Sequence, residues 1–276
     1  MENNKRLRPP LTYYGGKQTL APFIETLIPP HTLYGEPFFG GGAVFFLKDP
    51  SKVEVINDSN KELINFYRVV KTNFKALQAL VDQSLLSRDL HHKATVIYHN
   101  ADLFNAVQRA WAVWILCAMG FSSRMDGPFG FDKKSGTMPR KITFKKSAFT
   151  ELLMNRLENV QIECADALYV IQSRDHDGAF FYCDPPYIGS DMGHYKGYTD
   201  ADFTGLLQTL ASIKGKFLLS SYPSELLQQF SKANGWHTLK KELLVTVNIK
   251  GGNPKTKVEV LTANYAISSG SGFRVG

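Results

Sequence analysis

The apolar positions of this chain follow two rhythms. Short uninterrupted runs, rich in aromatic and β-branched residues, occur at Leu33–Phe38, Val53–Asn57, Val160–Cys164, Phe180–Cys183 and Phe217–Ser221. Runs of this length predict strands buried on both faces, as in a parallel sheet. Between them the spacing is helical. One helix is expected over Asp58–Lys71, opened by Asp58 and Ser59, and another over Ser224–Ala233, opened by Ser224 and stopped by Asn234-Gly235. Asp and Ser side chains accept from the free amides of a first turn, and glycine ends a helix without a Cβ penalty. Strands alternating with helices predict an α/β open sheet.

Two regions break the alternation. Leu239–Asn248 and Lys257–Tyr265 are extended runs joined by Gly251-Gly252-Asn253-Pro254, which predicts an antiparallel hairpin appended to the sheet. From about Lys61 to Asn159 helical patterns dominate, including Leu103–Met119 and Ser147–Leu157. The apolar run Trp111–Gly120 is too short to span a bilayer and predicts a buried helix. Between those two helices, Gly120–Ser147 carries seven cations (Arg124, Lys133, Lys134, Arg140, Lys141, Lys145, Lys146) against two anions, Asp126 and Asp132, interleaved with Phe. Alone this reads equally as a solvated basic loop. Beside the motifs below, a DNA-contacting insertion is the better reading.

Composition narrows the class. With 276 residues, 43% of them hydrophobic, the chain can bury a core, and 21% charged with 12% aromatic residues argues against global disorder. Lys and Arg number 32 against 25 Asp and Glu, a formal charge of +7. The resulting pI near 9.2 suits a polyanionic partner. Cys117, Cys164 and Cys183 form no CxxC pair, so neither a zinc motif nor a disulfide framework is expected, and a reducing cytoplasm fits. The start, MENNKRLRPP, has no apolar segment and is not a signal peptide in pattern; no membrane association is expected.

Asp184-Pro185-Pro186-Tyr187 directly follows the apolar strand Phe180–Cys183. Ligands of open α/β sheets bind at the carboxyl ends of strands. The prolines stiffen the turn and remove two backbone donors, leaving a carboxylate, a prolyl carbonyl and an aromatic ring. An exocyclic amine of a base is a poor nucleophile, because its lone pair is delocalised. Asp184 and the Pro185 carbonyl can accept its two hydrogens and draw electron density onto the nitrogen. Tyr187 can stack on a base flipped from the helix. The alternative is a Pro-rich loop with an incidental Asp.

Three weaker signals accompany it. Glu36-Pro37-Phe38-Phe39-Gly40-Gly41-Gly42-Ala43 follows the first strand and precedes Val44–Leu47, so the backbone can approach a ligand closely. It is neither the GxGxxG of nicotinamide enzymes nor a phosphate-binding P-loop. Asp58 ends the second strand, where a carboxylate can accept from both ribose hydroxyls of a nucleoside cofactor, or cap the next helix. In Tyr13-Tyr14-Gly15-Gly16-Lys17 a Lys beside a glycine turn can receive a carboxylate, and a Tyr can pack on a ring or sulfonium.

Together, and in this order, these motifs resemble the Dam-type (D12 class, α group) DNA adenine N6-methyltransferases. Cys164-Ala165-Asp166 fits as well, and the resemblance covers nearly the whole chain. It implies a Rossmann-like sheet dependent on S-adenosylmethionine, ending in the antiparallel hairpin. A catalytic domain is expected over 1–60 with 160–276, and a mainly helical target-recognition insertion over 61–159. By motif, Tyr13, Lys17, Glu36, Phe38, Phe39, Gly40, Gly41, Asp58, Asp166 and Asp184 are expected at the cofactor. Asp184, Pro185, Pro186 and Tyr187 are expected at the target base.

The resemblance implies double-stranded DNA as substrate, methylated at adenine N6 by base flipping. It further implies no metal, a monomer in the cytoplasm of a bacterial or phage-infected cell, and a possible cognate restriction endonuclease. Two features depart from the family. Tyr13 stands where Trp is common, and Gly120–Gly130 does not follow the pattern of members that read GATC. Arg124 is a candidate for reading guanine, and Lys133, Lys134, Arg140 and Lys141 for binding phosphate. N4-methylation of cytosine and a catalytically inactive DNA-binding regulator are the alternatives.

Other residues carry less. Cys183 lies in an apolar strand and reads as core rather than nucleophile. His91-His92 has no metal pattern and is expected at the surface, Trp111 and Trp114 in the core. Tyr195 and Tyr198 follow the Asp-Pro-Pro-Tyr loop, where closure over substrate and a simple exposed loop are equally compatible.

Overall fold

The computed structural model describes residues 7–187, 198–244, 256–268 and 274–275. The hairpin turn expected at Gly251–Pro254, the strand beyond Leu244, and Tyr195 lie outside them. The chain divides into two compact units, Met1–Glu25 with Phe39–Asp166, and Thr26–Phe38 with Ala167–Gly276.

The first unit holds two parallel strands, β2 (Val53–Asn57) and β3 (Val160–Glu163), with Asn57 level with Glu163 at their carboxyl ends. In chain order α1 (Ala21–Leu27) and α2 (Ala43–Leu47) come before β2, and six helices separate the strands. These are α3 (Lys61–Thr72), α4 (Phe74–Gln83), α5 (Arg88–His99), α6 (Ala106–Met119), α7 (Thr137–Ala148) and α8 (Glu151–Leu157). The helical character expected for this stretch is therefore observed. α6 is buried continuously from Ala110 to Met119, with Trp111 and Trp114 in the core as expected. Burying such side chains stabilises the fold by about 1.5–3 kcal/mol each.

Helix boundaries follow capping. α3 begins three residues later than expected because Asn60, rather than Asp58, is its cap: the Asn60 side chain accepts from the amides of Glu62 and Leu63. α6 starts at Ala106 because Asn105 and Gln108 form a reciprocal capping box. The basic stretch is helical in its second half. The Asp132 carboxylate accepts from the Met138 amide at the start of α7, and Pro139 sits in the first turn, where a proline sacrifices no intrahelical bond. One polar knot lies deep in this unit. Glu54 on β2 receives Lys48 at 2.7 Å and Arg156 of α8, whose guanidinium also lies 3.6 Å from the centre of the Phe45 ring.

The second unit contains β1 (Leu33–Glu36), α9 (Ala167–Arg174), β4 (Ala179–Cys183), α10 (Asp200–Ser212), β5 (Lys216–Ser221), α11 (Glu225–Asn234), β6 (His237–Leu244), β7 (Thr256–Ala263) and β8 (Arg274–Val275). β1, β4 and β5 run parallel, β1 pairing with β4 and β4 with β5. β7 pairs antiparallel with β5, and β6 with β7 and β8, so the expected C-terminal antiparallel addition is present. The fold is α/β as the alternation predicts. β1 and β4 are buried at every position and β5 at all but the first, as their apolar runs require. β1 is shorter than its run, stopping before Pro37, whose nitrogen cannot donate to a ladder. α11 starts and stops as expected: Ser224 accepts from the Leu227 amide, and Gly235 takes φ +65° after the last turn.

Candidate active site

In the first unit, three motifs meet around a glycine turn. The Gly16 amide donates to Tyr13 O at 3.0 Å, closing the N-terminal turn, and Lys17 Nζ donates to Gly15 O at 3.1 Å. Tyr13 and Lys17 are both buried. Tyr13 packs directly on Gly40 and Gly41. A Cβ at Gly40 would fall 3.1 Å from Tyr13 Cδ1, and one at Gly41 only 2.9 Å from Tyr13 Cβ. Gly40 also has φ +50°, a left-handed backbone that favours glycine. These two positions thus need glycine for packing and, at Gly40, for conformation.

Asp58 fixes the same turn from the tip of β2. Its Oδ2 accepts from the Gly40 amide at 2.9 Å and its Oδ1 from the Asn60 amide at 2.9 Å. Burial raises its pKa, and the two amides oppose that shift. Each oxygen has a second acceptor position by its chemistry. Asn57, one residue earlier, clamps the loop after β3: its Nδ2 donates to Ala165 O at 3.1 Å and its Oδ1 accepts from the Ala165 amide at 2.9 Å. Asp166 follows that clamp and is exposed. Tyr67 donates to Gly40 O at 2.9 Å. Phe39 is committed elsewhere: its ring lies edge-on to Tyr67 at 4.7 Å and to Phe45 at 5.5 Å, within an aromatic core.

In the second unit, Asp184-Pro185-Pro186-Tyr187 leaves β4 at its carboxyl end. Pro185 is buried; Asp184, Pro186 and Tyr187 are half-buried. The Tyr187 hydroxyl faces two carboxyl groups, Asp184 Oδ1 at 3.1 Å and Glu259 Oε1 of β7. Its ring meets Tyr222, which follows β5, edge-on at 4.5 Å. Burial, then the neighbouring Asp184 and Glu259, hold the Tyr187 phenol well above its ordinary pKa, so it stays protonated. Glu36 is buried at the end of β1 and accepts from Tyr34 at 2.5 Å, while Phe38 is half-buried. Burial pushes the Cys183 thiol far up, which removes it as a nucleophile. Tyr198 is half-buried, and its buried hydroxyl has no hydrogen-bond partner among the described residues.

The basic segment belongs to the first unit. Its first part is a closed loop: the Phe121 amide donates to Pro128 O at 2.8 Å and the Gly130 amide to Met119 O at 2.7 Å. Ser122 and Ser123 hold φ of 55° and 57°, unusual for residues other than glycine. Arg124 pairs with Asp126 at 3.3 Å and lies 5.6 Å from the centre of the Tyr14 ring. Lys145 and Lys146 turn inward and donate to Cys117 O and Ser84 O. Burial lowers the Lys145 pKa to about 8. Lys133, Lys134, Arg140 and Lys141 are exposed, as are the rings of Phe131 and Phe144. His91 is buried, against expectation, because it faces inward from α5 onto Phe129 at 5.8 Å. His92 is exposed.

Asn57, Tyr67 and Glu259 are the residues whose roles the sequence does not announce. Asn57 and Tyr67 act through backbone atoms distant in sequence, which no local motif signals. Glu259 offered one clue: in a strand of alternating faces it shares its side with Leu261 and Ala263, both buried. Among the described residues no group of three or more His, Cys, Asp or Glu could hold a metal, and no helix is long and apolar enough to cross a membrane.

The sequence matches a family of known proteins. Residues 13–250 match the family of D12 class N6 adenine-specific DNA methyltransferases. The chain is 29% identical to the type II methyltransferase M1.LlaDCHI of Lactococcus lactis subsp. cremoris, across 96% of this chain and 98% of that protein. It is 26% identical to the DNA adenine methylase of Serratia marcescens, across 95% and 99%. It is 25% identical to that of Escherichia coli K12, across 95% and 96%. The family match takes in the glycine turn, Asp58 and Asp184–Tyr187 alike, and the chain belongs to the D12 class of N6 adenine-specific DNA methyltransferases.

Proposed function

We propose that the chain methylates adenine N6 in double-stranded DNA with S-adenosylmethionine as donor, taking the target base out of the helix. The observation that carries this is the carboxylate–carbonyl–aromatic arrangement at the end of a buried parallel strand, Asp184 to Tyr187. Two acceptors there suit the two hydrogens of an exocyclic amine, and the ring suits a flipped base. Alignment by these groups suits a transfer without a covalent enzyme intermediate.

The first unit fits the donor. Gly40 and Gly41 leave the backbone bare beside Tyr13, and Asp58 presents acceptors at a strand tip. In this reading Asp58 accepts from ribose hydroxyls, Asp166 lies at the adenine, and Tyr13 and Lys17 face the amino-acid end. When bound, S-adenosylmethionine supplies an electrophilic methyl group on sulfonium. Phe39 supports the turn from behind, packed in the aromatic core, and Glu36 is hydrogen-bonded within β1.

Residues 61–159 serve as the target-recognition part, with Lys133, Lys134, Arg140 and Lys141 on phosphates. Arg124, held on one edge by Asp126, is the candidate for reading a base. Monomeric action in the cytoplasm, without a metal, completes the reading. A cognate restriction endonuclease accords with a relative named as a type II methyltransferase. The test is Asp184→Ala. It is expected to abolish transfer while the protein stays folded; full activity in that variant contradicts the mechanism.

A further inference from the structure

Glu259 is a carboxyl group 5% exposed in the middle of a β-strand. Buried acids are rare unless something holds them. Here the strand order delivers it to the catalytic loop. β7 pairs antiparallel with β5, which pairs in turn with β4, the strand that ends at Asp184. Glu259 thus reaches the Tyr187 hydroxyl from 72 positions along the chain.

That hydroxyl has one proton and two carboxyl neighbours. Asp184 Oδ1 lies at 3.1 Å and Glu259 Oε1 is closer. A proton given to Glu259 is not given to Asp184, so the Asp184 oxygen keeps its capacity to accept from an incoming amine. The same bond fixes the ring. Tyr187 is held at its hydroxyl by Glu259, at its edge by Tyr222 at 4.5 Å, and at its backbone by Pro186. Tyr222 has the Lys257 ammonium 5.5 Å from its ring centre.

We propose that Glu259 is a positioning residue for methyl transfer: by accepting the Tyr187 proton it sets the plane of the stacking ring and spares the Asp184 oxygen for the base. This rests on the reading that Tyr187 stacks on the target adenine. The competing role is purely structural, as a cross-strand partner of Lys241, which lies opposite Glu259 on β6.

Single-turnover transfer of labelled methyl from S-adenosylmethionine to unmethylated genomic DNA separates the two. Glu259→Ala is expected to slow transfer tenfold or more, with affinity for S-adenosylmethionine within twofold of the parent. Glu259→Gln, whose amide oxygen still accepts, should stay within threefold. In a Tyr187→Phe background, Glu259→Ala should add less than a further twofold, because the group it acts through is already gone. Glu259→Met, which fills similar volume without an acceptor, gives the same reading if the alanine variant does not fold.

Parent-like transfer by Glu259→Ala or Glu259→Met overturns the proposal. So does a loss that multiplies fully on that of Tyr187→Phe, since Glu259 then acts through Lys241 or the fold. Tyr187→Ala tells the failures apart. If it is inactive while Glu259→Ala is parent-like, only the role of Glu259 falls. If Tyr187→Ala is itself parent-like, the stacking reading falls and the role of Glu259 with it.

Discussion

Asn57→Ala is the sharpest test of how the first unit holds its loops. Asn57 is 1% exposed and makes a two-way clamp on Ala165, donating at 3.1 Å and accepting at 2.9 Å. Each such bond contributes about 1 kcal/mol net, and a buried partner left unsatisfied costs about 1–3 kcal/mol. Ala165 is half-buried, so water reaches part of what the clamp releases. The expected loss is therefore about 2–3 kcal/mol. It should show as a lower urea midpoint at unchanged slope, because truncating one side chain hardly alters the surface exposed on unfolding. Asn57→Asp should be no better: it keeps the acceptor for the Ala165 amide but sets a carboxylate oxygen against the Ala165 carbonyl. Since Asp166 follows the clamp, affinity for S-adenosylmethionine should fall about tenfold, or about 1.4 kcal/mol. A stability change below about 0.5 kcal/mol, the range of ordinary surface substitutions, would refute the reasoning.

Three further outcomes are expected. Gly41→Ala places a Cβ 2.9 Å from Tyr13 Cβ and 3.3 Å from Leu11 O. It should displace Tyr13 and weaken S-adenosylmethionine binding measured by calorimetry, and unchanged affinity would contradict the cradle. Replacing Lys133, Lys134, Arg140 and Lys141 together by Ala should lower the slope of log affinity against log salt by about 0.9 for each phosphate no longer neutralised; an unchanged slope would remove this face from the DNA interface. Lys145 ionises with a pKa lowered to about 8 in the fold, against 10.5 as its ordinary value. Between those pH values the unfolded chain binds more protons than the folded one, so this residue makes stability rise with pH across that window and is unfavourable below it. Relative to Lys145→Gln, the parent should gain stability from pH 8 to 10.5, and a flat difference across that range would show the ammonium to be well solvated.

The parts legible in the sequence were those with local causes. Strands buried on both faces read as apolar runs, which is why β1, β2, β4 and β5 stood out. β3 has only Val160 fully buried, yet Val160 and Ile162 were enough to mark it. Ser224 and Gly235 bounded α11 by caps visible in the sequence. What failed depended on interactions made at a distance or on choices between nearby residues. Asp58 and Asn60 are both good caps, and only the structure shows that Asn60 takes the helix while Asp58 turns to Gly40. The start of α7 was not marked in the sequence, because the acceptor for its Met138 amide is the side chain of Asp132, six residues earlier. His91 looked like surface until α5 turned it onto Phe129. For the site, Asp184–Tyr187 was evident because four specified residues follow a strand. Glu259 was not, because its partner is brought to it only by the pairing of β7 with β5 beside β4.

The central claim is best tested by incubating the purified protein with S-adenosylmethionine and unmethylated DNA, digesting the DNA and identifying its nucleosides by mass spectrometry. The account predicts N6-methyladenine, formed only when the donor is present, and no N4-methylcytosine. N4-methylcytosine in its place, or no methylated nucleoside despite bound donor, would contradict it.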